Sequence, residues 1–529
     1  MSGLYVMVRR QLRVNRTVLI AMAAVTAVNN VVQITAYQSL FPNPAARATT
    51  LASFTSNGAL RALYGYPFEI TSPTGWLSWR ALGFIAVVMA MWGAFTTVGA
   101  LRGEEEAGRA DLALSQPQSR RVWFSAALLA VTVETLMIGA VNVAALVAFC
   151  VTKGLMTFVD TLEISLQLML PALLFAGAGA VASQLIGTTR GARIVAAAVL
   201  AVALLARTVA DAGGGITWLR WTTPLGWFEE LHPPAAPSPF ALIAIGVALV
   251  LLVLAALLML AGRDVGLGLL PHRDSRRPRR VLLGAPWQAA LRDDLPLLSI
   301  WVVGSLFYTL LLGSLTKTLL DFVKANSSFN SLIGRSFGVN TYIAASFSLV
   351  QLIVTLLAVT MVVEARAEEA SSRLELLVAG PLSRISWLVS RAALAASAAL
   401  VLALVSAMGI WAGTAAAGQN VALGSLLEAG LNCVPLIIIS VGAAVMLMAL
   451  APRAVAFVYV PIAVAYLWEA LGTALKAPPW TLDASPFHAL AAVPAQSFAF
   501  LPAAILTAIG VVLLAVGASV FRGRDLVTA

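Results

Sequence analysis

The feature that most limits the fold of this chain is a series of apolar runs, each about 20 residues or longer. One α-helix of that length crosses the roughly 30 Å hydrocarbon core of a bilayer. The runs lack the alternation of apolar and polar residues that marks a transmembrane β-barrel. Charged residues make up 11% of the sequence, far below the roughly 25% of soluble domains. The sequence therefore predicts an all-α polytopic membrane protein.

We predict twelve transmembrane helices, six in each half of the chain, with these bounds: 17–38, 81–101, 123–150, 162–186, 192–210, 239–261, 297–316, 342–363, 388–416, 426–450, 454–475 and 499–521. Because six is even, the halves run in the same direction and form parallel repeats. The predicted organisation is a first half over 1–265, an Arg-rich linker with an interfacial helix over 266–296, and a second half over 297–529. Pro171 and Pro435 predict a kink in the fourth span of each half.

Four segments are predicted to lie at the membrane surface. Residues 1–16 place apolar and Arg side chains on separate helical faces, which predicts an interfacial elbow helix before the first span, and 287–294 predict a second one. Residues 213–238 and 476–498 are rich in Gly, Pro and Trp, which predicts re-entrant or flat segments on the outer side. The first apolar run is as long as a full span, so we expect it to be retained and not cleaved as a signal peptide.

The distribution of basic residues predicts the orientation. Placing both termini, the central linker and the polar segments after the second and eighth spans on one side gives that side 24 of the 34 Arg and Lys residues, against 34 − 24 = 10 on the other. The positive-inside rule makes the first side cytoplasmic. We therefore expect a multi-pass protein of the plasma membrane with cytoplasmic termini. In such a protein the net charge of +10 reports orientation and does not indicate nucleic acid binding.

A charged segment occurs twice without a gap, at 102–123 and 366–387, an offset of 366 − 102 = 264. We call these the first and second repeat segments. Each predicts a helix of about three turns that carries charges of both signs and ends in Pro-x-Ser-Arg. For one copy a self-paired, solvated loop is an equal alternative, whereas two copies favour contact with a partner outside the membrane. The matched residues are Arg102 and Arg366, Glu104 and Glu368, Glu105 and Glu369, Arg109 and Arg373, Asp111 and Glu375, Pro117 and Pro381, Ser119 and Ser383, and Arg120 and Arg384. We expect the charges of Glu105, Arg109, Glu369 and Arg373 to face that partner.

The pattern E-E-x-x-x-R-x-[DE]-L-x-x-x-x-P-x-S-R resembles the permeases of ABC-2 type exporters. The chain is similar in particular to the fused, twelve-span permeases of actinobacterial polyketide-antibiotic (tetronasin-type) and multidrug exporters. This resemblance implies a type V exporter-like fold, and it implies that each repeat segment is a cytoplasmic coupling helix. It also implies a GC-rich actinobacterial source and export of hydrophobic or amphipathic compounds, such as antibiotics and drugs. The implied partner is a separate ATPase subunit, acting as a homodimer.

The chain has no Gly-x-x-x-x-Gly-Lys-[Ser/Thr] sequence, so it does not bind ATP phosphates in the P-loop manner. We expect ATP and Mg to bind to the partner subunit, and no cofactor, metal or catalytic site in this chain. Two other functions stay open at this stage. A proton-driven antiporter of the major facilitator type also has six plus six spans, but its Asp-Arg-x-Gly-Arg kind of motif is absent here. An ABC-type exporter of lipids or glycolipids shares the features of a drug exporter.

Polar residues inside predicted spans are candidates for the substrate pathway or its gate. They are Asn29, Asn30, Gln33, Glu134, Arg207, Asn432 and Glu469. For the amides, hydrogen bonding between helices is the main alternative. Glu134 is equally compatible with a buried neutral or paired carboxylate. Arg207 and Glu469 are related by an offset of 262, which predicts either an ion pair in a gate or two side chains that extend separately to the outer interface.

Overall fold

The computed structural model describes residues 2–40, 58–115, 118–212, 215–235, 237–270, 285–325, 338–370, 372–380, 382–472 and 478–526. Within these ranges the regular structure is helical. The chain divides into two compact units, Met1–Arg276 and Arg277–Ala529.

The first unit contains ten α-helices within the described residues. They are α1 (Ser2–Leu40), α2 (Gly58–Tyr64), α3 (Pro73–Val98), α4 (Glu104–Glu106), α5 (Arg109–Leu114), α6 (Arg120–Phe149), α7 (Phe158–Leu185), α8 (Thr189–Ala212), α9 (Pro224–Glu229) and α10 (Pro239–Ala261). A 3₁₀-helix over Thr217–Thr222 precedes α9. The predicted outer segment of this unit is therefore two short helices, and Gly213 and Gly214 lie outside the described residues.

The second unit contains a further ten in its described part. They are α11 (Pro286–Ser314), α12 (Thr316–Ala325), α13 (Val339–Ala370), α14 (Arg373–Val378), α15 (Arg384–Ala416), α16 (Leu423–Leu431), α17 (Val434–Leu450), α18 (Tyr459–Gly472), α19 (Pro479–Asp483) and α20 (Phe500–Gly523). Helices α16 and α17 are separated at Asn432 and Cys433, just before Pro435, whereas Pro171 lies inside the continuous helix α7.

Eleven helical segments of the described residues are long and apolar enough to cross a bilayer. They coincide with every predicted span except the eleventh, at 454–475. In that region a 3₁₀-helix over Pro452–Val458 leads into α18, which has 14 residues, and residues 473–477 lie outside the described ranges. The predicted span over 454–475 thus begins in a 3₁₀-helix and not in a regular α-helix, and its length stays a prediction.

The predicted elbow helices are not separate elements. Helix α1 is continuous over 39 residues and includes residues 2–16 of the charged stretch, and α11 runs over 29 residues with Pro296 inside it. At about 1.5 Å per residue, α1 is about 58 Å long, nearly twice the roughly 30 Å core. The sequence suggested a break because the charged and apolar stretches differ in composition, but no residue between them breaks a helix.

Equivalent helices pack in the same pairs in both units. Helix α1 packs on α6, and α3 and α10 pack on α7; correspondingly, α11 packs on α15, and α13 and α20 pack on α17. Small residues allow the close approach. A Cβ added at Gly93 would lie 2.1 Å from the carbonyl oxygen of Ala172, and one at Gly442 would lie 2.2 Å from that of Gly510. Such contacts are typical of membrane helices, where packing replaces the hydrophobic effect as the force between helices.

One amide pair joins α1 to α6 among these apolar contacts. Asn30 Nδ2 donates to Asn142 Oδ1 at 2.9 Å, and both side chains are buried. The interhelical hydrogen bond considered from the sequence is thereby confirmed for Asn30.

We expect Asn30→Leu and Asn142→Leu each to lower the melting temperature of the solubilised protein, because each leaves a buried amide without its partner. Hydrogen bonds between membrane helices contribute about 0.6 kcal/mol on average and up to about 1.7 kcal/mol. The double variant should lose less than the sum of the single losses. Losses that simply add would show that the two amides do not act as a pair.

Candidate functional site

The repeat segments form short helices that follow one long helix in each unit. In the first unit a π-helical turn over Gly99–Gly103 continues α3, and α4 and α5 follow. In the second, α13 extends unbroken to Ala370 and α14 follows. Single π-helical turns interrupt helices most often at functional sites. The two copies therefore enter the same arrangement by different backbone routes.

A residue in the left-handed conformation precedes α5 and α14. Gly108 has φ 69° and Ser372, at the equivalent position, has φ 60°. This conformation costs a residue with a Cβ about 1–2 kcal/mol relative to the right-handed one. The second copy keeps the turn in spite of that cost, so the backbone geometry is the shared feature.

In the first unit, Glu105 is the centre of a buried ion-pair network. Arg263, just beyond α10, donates from Nη1 and Nη2 to the two carboxylate oxygens of Glu105, at 2.9 and 2.5 Å. Arg102 Nη1 donates to Glu105 Oε2 at 2.8 Å, and Arg102 Nε donates to the carbonyl oxygen of Ser183 at 3.1 Å. The three charged side chains are buried. The network ties the first repeat segment to the ends of α7 and α10.

The second unit repeats this network around Glu369. Arg524, directly after α20, places Nη1 2.6 Å from Glu369 Oε1 and donates from Nη2 to Oε2 at 2.8 Å. Arg366 Nη1 lies 3.7 Å from Glu369 Oε2, and Arg366 Nε donates to the carbonyl oxygen of Pro452 at 3.3 Å. Bidentate guanidinium–carboxylate pairs are stronger and more directional than single contacts. Each repeat segment is thus fixed to the last long helix of its own unit by one such pair.

A second arginine binds the backbone at the same place. Arg120 Nη1 donates to the carbonyl oxygen of Arg263, and Arg384 Nη1 donates to that of Arg524, both at 2.9 Å. Both ends of each repeat segment therefore converge on one Arg residue beyond the last helix.

The Ser of each Pro-x-Ser-Arg sequence starts the next long helix. Ser119 and Ser383 accept a hydrogen bond from the backbone N–H three residues on, at 3.3 and 3.1 Å. Such an N-cap stabilises a helix by about 1 kcal/mol. Pro117 and Pro381, also predicted for this site, lie outside the described residues.

The first glutamate of the two copies has different partners. Glu104 Oε2 lies 2.8 Å from Arg10 Nη1, and Glu104 Oε1 accepts from Arg109 Nη2 at 2.9 Å. That hydrogen bond raises the pKa of Arg109 above its ordinary value. Glu368 is bound by Arg391 of α15. The first copy is therefore joined to α1, and the second to the long helix that follows it.

The short helices α5 and α14 each present an acidic residue and a leucine outward. Asp111 and Glu375 are exposed, and Leu112 and Leu376 are 72% and 79% exposed. The residue that precedes each acidic residue is buried, which orients both helices in the same way. An exposed leucine on a firmly held helix can fill an apolar pocket of a partner protein.

The expectation that Glu105 and Glu369 face a partner is wrong, because both carboxylates are buried against arginines of their own unit. Arg109 is half-exposed, and Arg373 is exposed. Charge counts along the sequence could not reveal this, because in a helix of a few residues the buried and exposed sides alternate within one turn.

The pathway candidates of α1 and α6 contact other polar side chains of the first unit. Glu134 is buried, and its Oε1 accepts from Asn15 Nδ2 at 2.9 Å, which fits the alternative of a buried neutral or paired carboxylate. Gln33 Oε1 accepts from Arg80 Nε at 3.3 Å, and Asn29 Nδ2 donates to the side chain of its chain neighbour, also at 3.3 Å. A role of these residues in transport stays a prediction.

Arg207 lies in a buried charged cluster at the end of α8. Its Nε is 3.7 Å from Asp211 Oδ2 and 3.3 Å from Glu229 Oε1, and its Nη2 donates to the carbonyl oxygen of Leu63 at 3.1 Å. Arg220 Nη2 lies 2.6 Å from Asp211 Oδ1. Burial, reinforced by Asp211, holds the pKa of Glu229 well above its usual range, against the opposing effect of both arginines. Because the Arg207 side chain is buried, its predicted extension to the outer interface is wrong.

The candidates of the second unit contact a backbone carbonyl and a histidine. Asn432 Nδ2 donates to the carbonyl oxygen of Ala491 at 2.8 Å. Glu469 Oε2 lies 3.0 Å from His488 Nδ1. Both Glu469 and Arg207 have partners within their own units. The predicted pairing of the two residues with each other stays a prediction.

Two groups of residues in these networks were not predicted. Arg263 and Arg524 were visible as a repeated Gly-Arg-Asp sequence after the last span of each half, but their partner was not. Asp211, at the end of α8, and Arg220 and Glu229, in the short helices that follow, gave no sequence signal of a charged cluster. No group of three or more His, Cys, Asp and Glu side chains in the described part of the chain could hold a metal ion.

Comparison with known proteins agrees with the duplicated arrangement. The family model described as "Multidrug efflux system permease Rv1217c, C-terminal domain" matches residues 49–263 and 283–522, which is most of the chain. The multidrug efflux system permease protein Rv1217c of Mycobacterium tuberculosis (strain ATCC 25618 / H37Rv) is 30% identical over 506 residues, covering 93% of this chain and 90% of that protein. This chain belongs to the multidrug efflux system permease family. The resemblance to an ABC exporter permease is thereby confirmed.

Membership of this family makes the chain a multi-pass permease subunit. The permease has duplicated the connection between the repeat segment and the last long helix of each unit, and it has varied the contacts of Glu104 and Glu368 around that connection.

We expect Glu105→Gln and Glu369→Gln to lower the melting temperature and the yield of the solubilised permease. Removing one partner of a buried ion pair costs about 3–5 kcal/mol, because the arginine stays buried without its counter-charge. The matched controls are Asp111→Asn and Glu375→Gln, which are exposed and should change stability by less than about 0.5 kcal/mol. Unchanged melting of the Glu105 and Glu369 variants would contradict an internal structural role.

Proposed function

We propose that this permease is the transmembrane subunit of an ATP-driven exporter that moves hydrophobic or amphipathic compounds out of the cell. A separate nucleotide-binding protein supplies the energy and binds ATP and Mg. Two identical copies of it dock on one permease, one at α5 and one at α14. The side that carries the repeat segments is then cytoplasmic, as the distribution of Arg and Lys predicts.

The observation that carries this proposal is the pair of exposed leucines beside acidic residues on two firmly held short helices. Leu112 and Leu376 are at equivalent positions, and each follows a carboxylate. Large apolar side chains that stay exposed at the same place in both copies favour a partner surface that is also present twice. In a loop that contacts only water, these exposed leucines would not stabilise the protein.

The buried networks suggest how docking reaches the membrane helices. When a partner displaces α5, the bidentate pair between Glu105 and Arg263 transmits the displacement to the end of α10, and Arg102 transmits it to the end of α7. In the second unit, Glu369 and Arg524 connect α14 to α20 in the same way. Rigid connections of this kind let a small movement at the surface shift whole helices.

The apolar surface of the long helices, with few charged side chains, suits an apolar or amphipathic cargo. The polar candidates along the route stay Asn29, Asn30, Gln33, Glu134, Arg207, Asn432 and Glu469. Export measured with a drug and with a fluorescent lipid in parallel separates a drug exporter from a lipid exporter.

We expect Leu112→Ala and Leu376→Ala to weaken binding of the ATPase subunit by about tenfold each, since a buried leucine contributes about 1.5–3 kcal/mol to a contact. The double variant should lose ATP-dependent export altogether. Binding is measured as retention of the ATPase by the purified permease over a concentration series.

Leu136→Ala is the matched control, because Leu136 is 52% exposed on α6 but lies away from the short helices. It should bind the ATPase normally. Equal retention by all of these variants, with unchanged melting temperatures, would rule out docking at α5 and α14.

A further inference from the structure

A cavity of about 300 Å³ lies in the first unit between α1, α5 and the start of α6. Met7, Trp123 and Ala127 form apolar parts of its wall, and the polar part consists of Arg10, Gln11, Glu104 and Arg109. Ligand pockets in proteins begin at about this volume. The cavity is thus large enough for a polar head with part of an apolar body.

The charged side chains of the wall offer donors and little acceptor capacity. Both oxygens of Glu104 are already bound, one by Arg10 and the other by Arg109. Each guanidinium has five N–H groups, and these two side chains are 50% and 52% exposed, so donors remain for a ligand. Two guanidinium charges and one carboxylate charge leave one net positive charge. The complementary ligand is therefore an anion.

The cavity lies where a membrane helix begins. Trp123 and Ala127 belong to the first two turns of α6, and tryptophan is typical of the boundary between the hydrocarbon core and the headgroups. On the neighbouring α1, Val14 and Val18 are exposed apolar side chains that follow Arg10 along the helix. An anion bound between the two arginines would have an apolar surface continuing from it.

We propose that this cavity binds the phosphate headgroup of an anionic phospholipid. The phosphate lies between Arg10 and Arg109, the glycerol region contacts Trp123, and the acyl chains follow the exposed valines of α1. An acidic side chain of a partner protein would use the two arginines alone and leave the apolar walls without a contact. A lipid uses both parts of the site.

The second unit fills the equivalent place with its own side chain. Arg391 occupies the position of Ala127, at 127 + 264 = 391, and its guanidinium contacts Glu368 and lies 3.4 Å from Asp294 Oδ2. The site is therefore predicted for the first unit only. Because α5 forms part of the wall, lipid binding would also change the affinity of the ATPase subunit for α5. This consequence rests on the proposed function, whereas lipid binding itself does not.

The test measures lipid binding by the full-length permease in detergent, using native mass spectrometry. The probes are dihexanoyl phosphatidylglycerol, dihexanoyl phosphatidylcholine and inorganic phosphate. We expect phosphatidylglycerol to bind to the wild type in preference to the other two. Arg10→Gln and Arg109→Gln should each weaken it by about tenfold, the usual effect of losing one charge-assisted hydrogen bond.

The chain supplies matched controls. Arg373→Gln removes the equivalent of Arg109 in the second unit and should leave binding unchanged. Ala127→Arg copies Arg391 into the cavity and should abolish binding by filling it and pairing with Glu104. Arg10→Gln tests the site independently if the filled variant does not fold.

Equal binding of phosphatidylglycerol and phosphatidylcholine, or equal loss in Arg373→Gln and Arg109→Gln, would overturn the proposal. Inorganic phosphate that binds as well as phosphatidylglycerol would assign the cavity to a free anion instead. Unchanged lipid binding in the Arg10 and Arg109 variants, together with lost retention of the ATPase, would assign it to an acidic side chain of the partner.

Discussion

A buried bidentate pair between a glutamate of the repeat segment and an arginine beyond the last long helix is the interaction on which each unit of this permease depends. Glu105 pairs with Arg263, and Glu369 pairs with Arg524. The desolvation of both charges makes such a pair weak evidence for net stability, but breaking it is costly. The pair is directional, because its two parallel hydrogen bonds fix the angle between the short helices and the membrane helices. The coupling proposed for the repeat segments needs that rigidity more than it needs added stability.

The duplication preserves this pair and varies what surrounds it. Glu104 is bound by arginines from α1 and α5 that stay half-exposed, whereas Glu368 is bound by Arg391 of α15, which is largely buried. At one equivalent position the first unit thus has Ala127 in the wall of a cavity and the second has Arg391, which pairs with Glu368. The charged cluster of Arg207, Asp211, Arg220 and Glu229 also belongs to the first unit, and the equivalents of Arg220 and Glu229 at an offset of 262 are apolar, Leu482 and Ala491. Two halves that share a fold thus differ in charge at both ends of their helices.

Much of the architecture could be predicted from the sequence because the bilayer restricts the possible solutions. Apolar runs of sufficient length have to be helices, and eleven of the twelve predicted spans coincide with long apolar helices of the described residues. The remaining predicted span, at 454–475, begins in a 3₁₀-helix at Pro452 that the apolar composition did not indicate. The prediction of a separate elbow helix before the first span was wrong, because the composition changes along α1 while the helix itself is continuous.

The sequence by itself determined the membrane class, the offset of 264 between the repeat segments, and the resemblance to ABC exporter permeases. These follow from residue type and spacing, which the chain carries without folding. Only the tertiary structure decided which charges of the repeat segments face inward. Glu105 and Asp111 are both acidic residues of one short segment, yet the first is buried against Arg263, 158 residues further along the chain, and the second is exposed. The burial of a side chain depends on which distant helix ends beside it, and no local pattern records that.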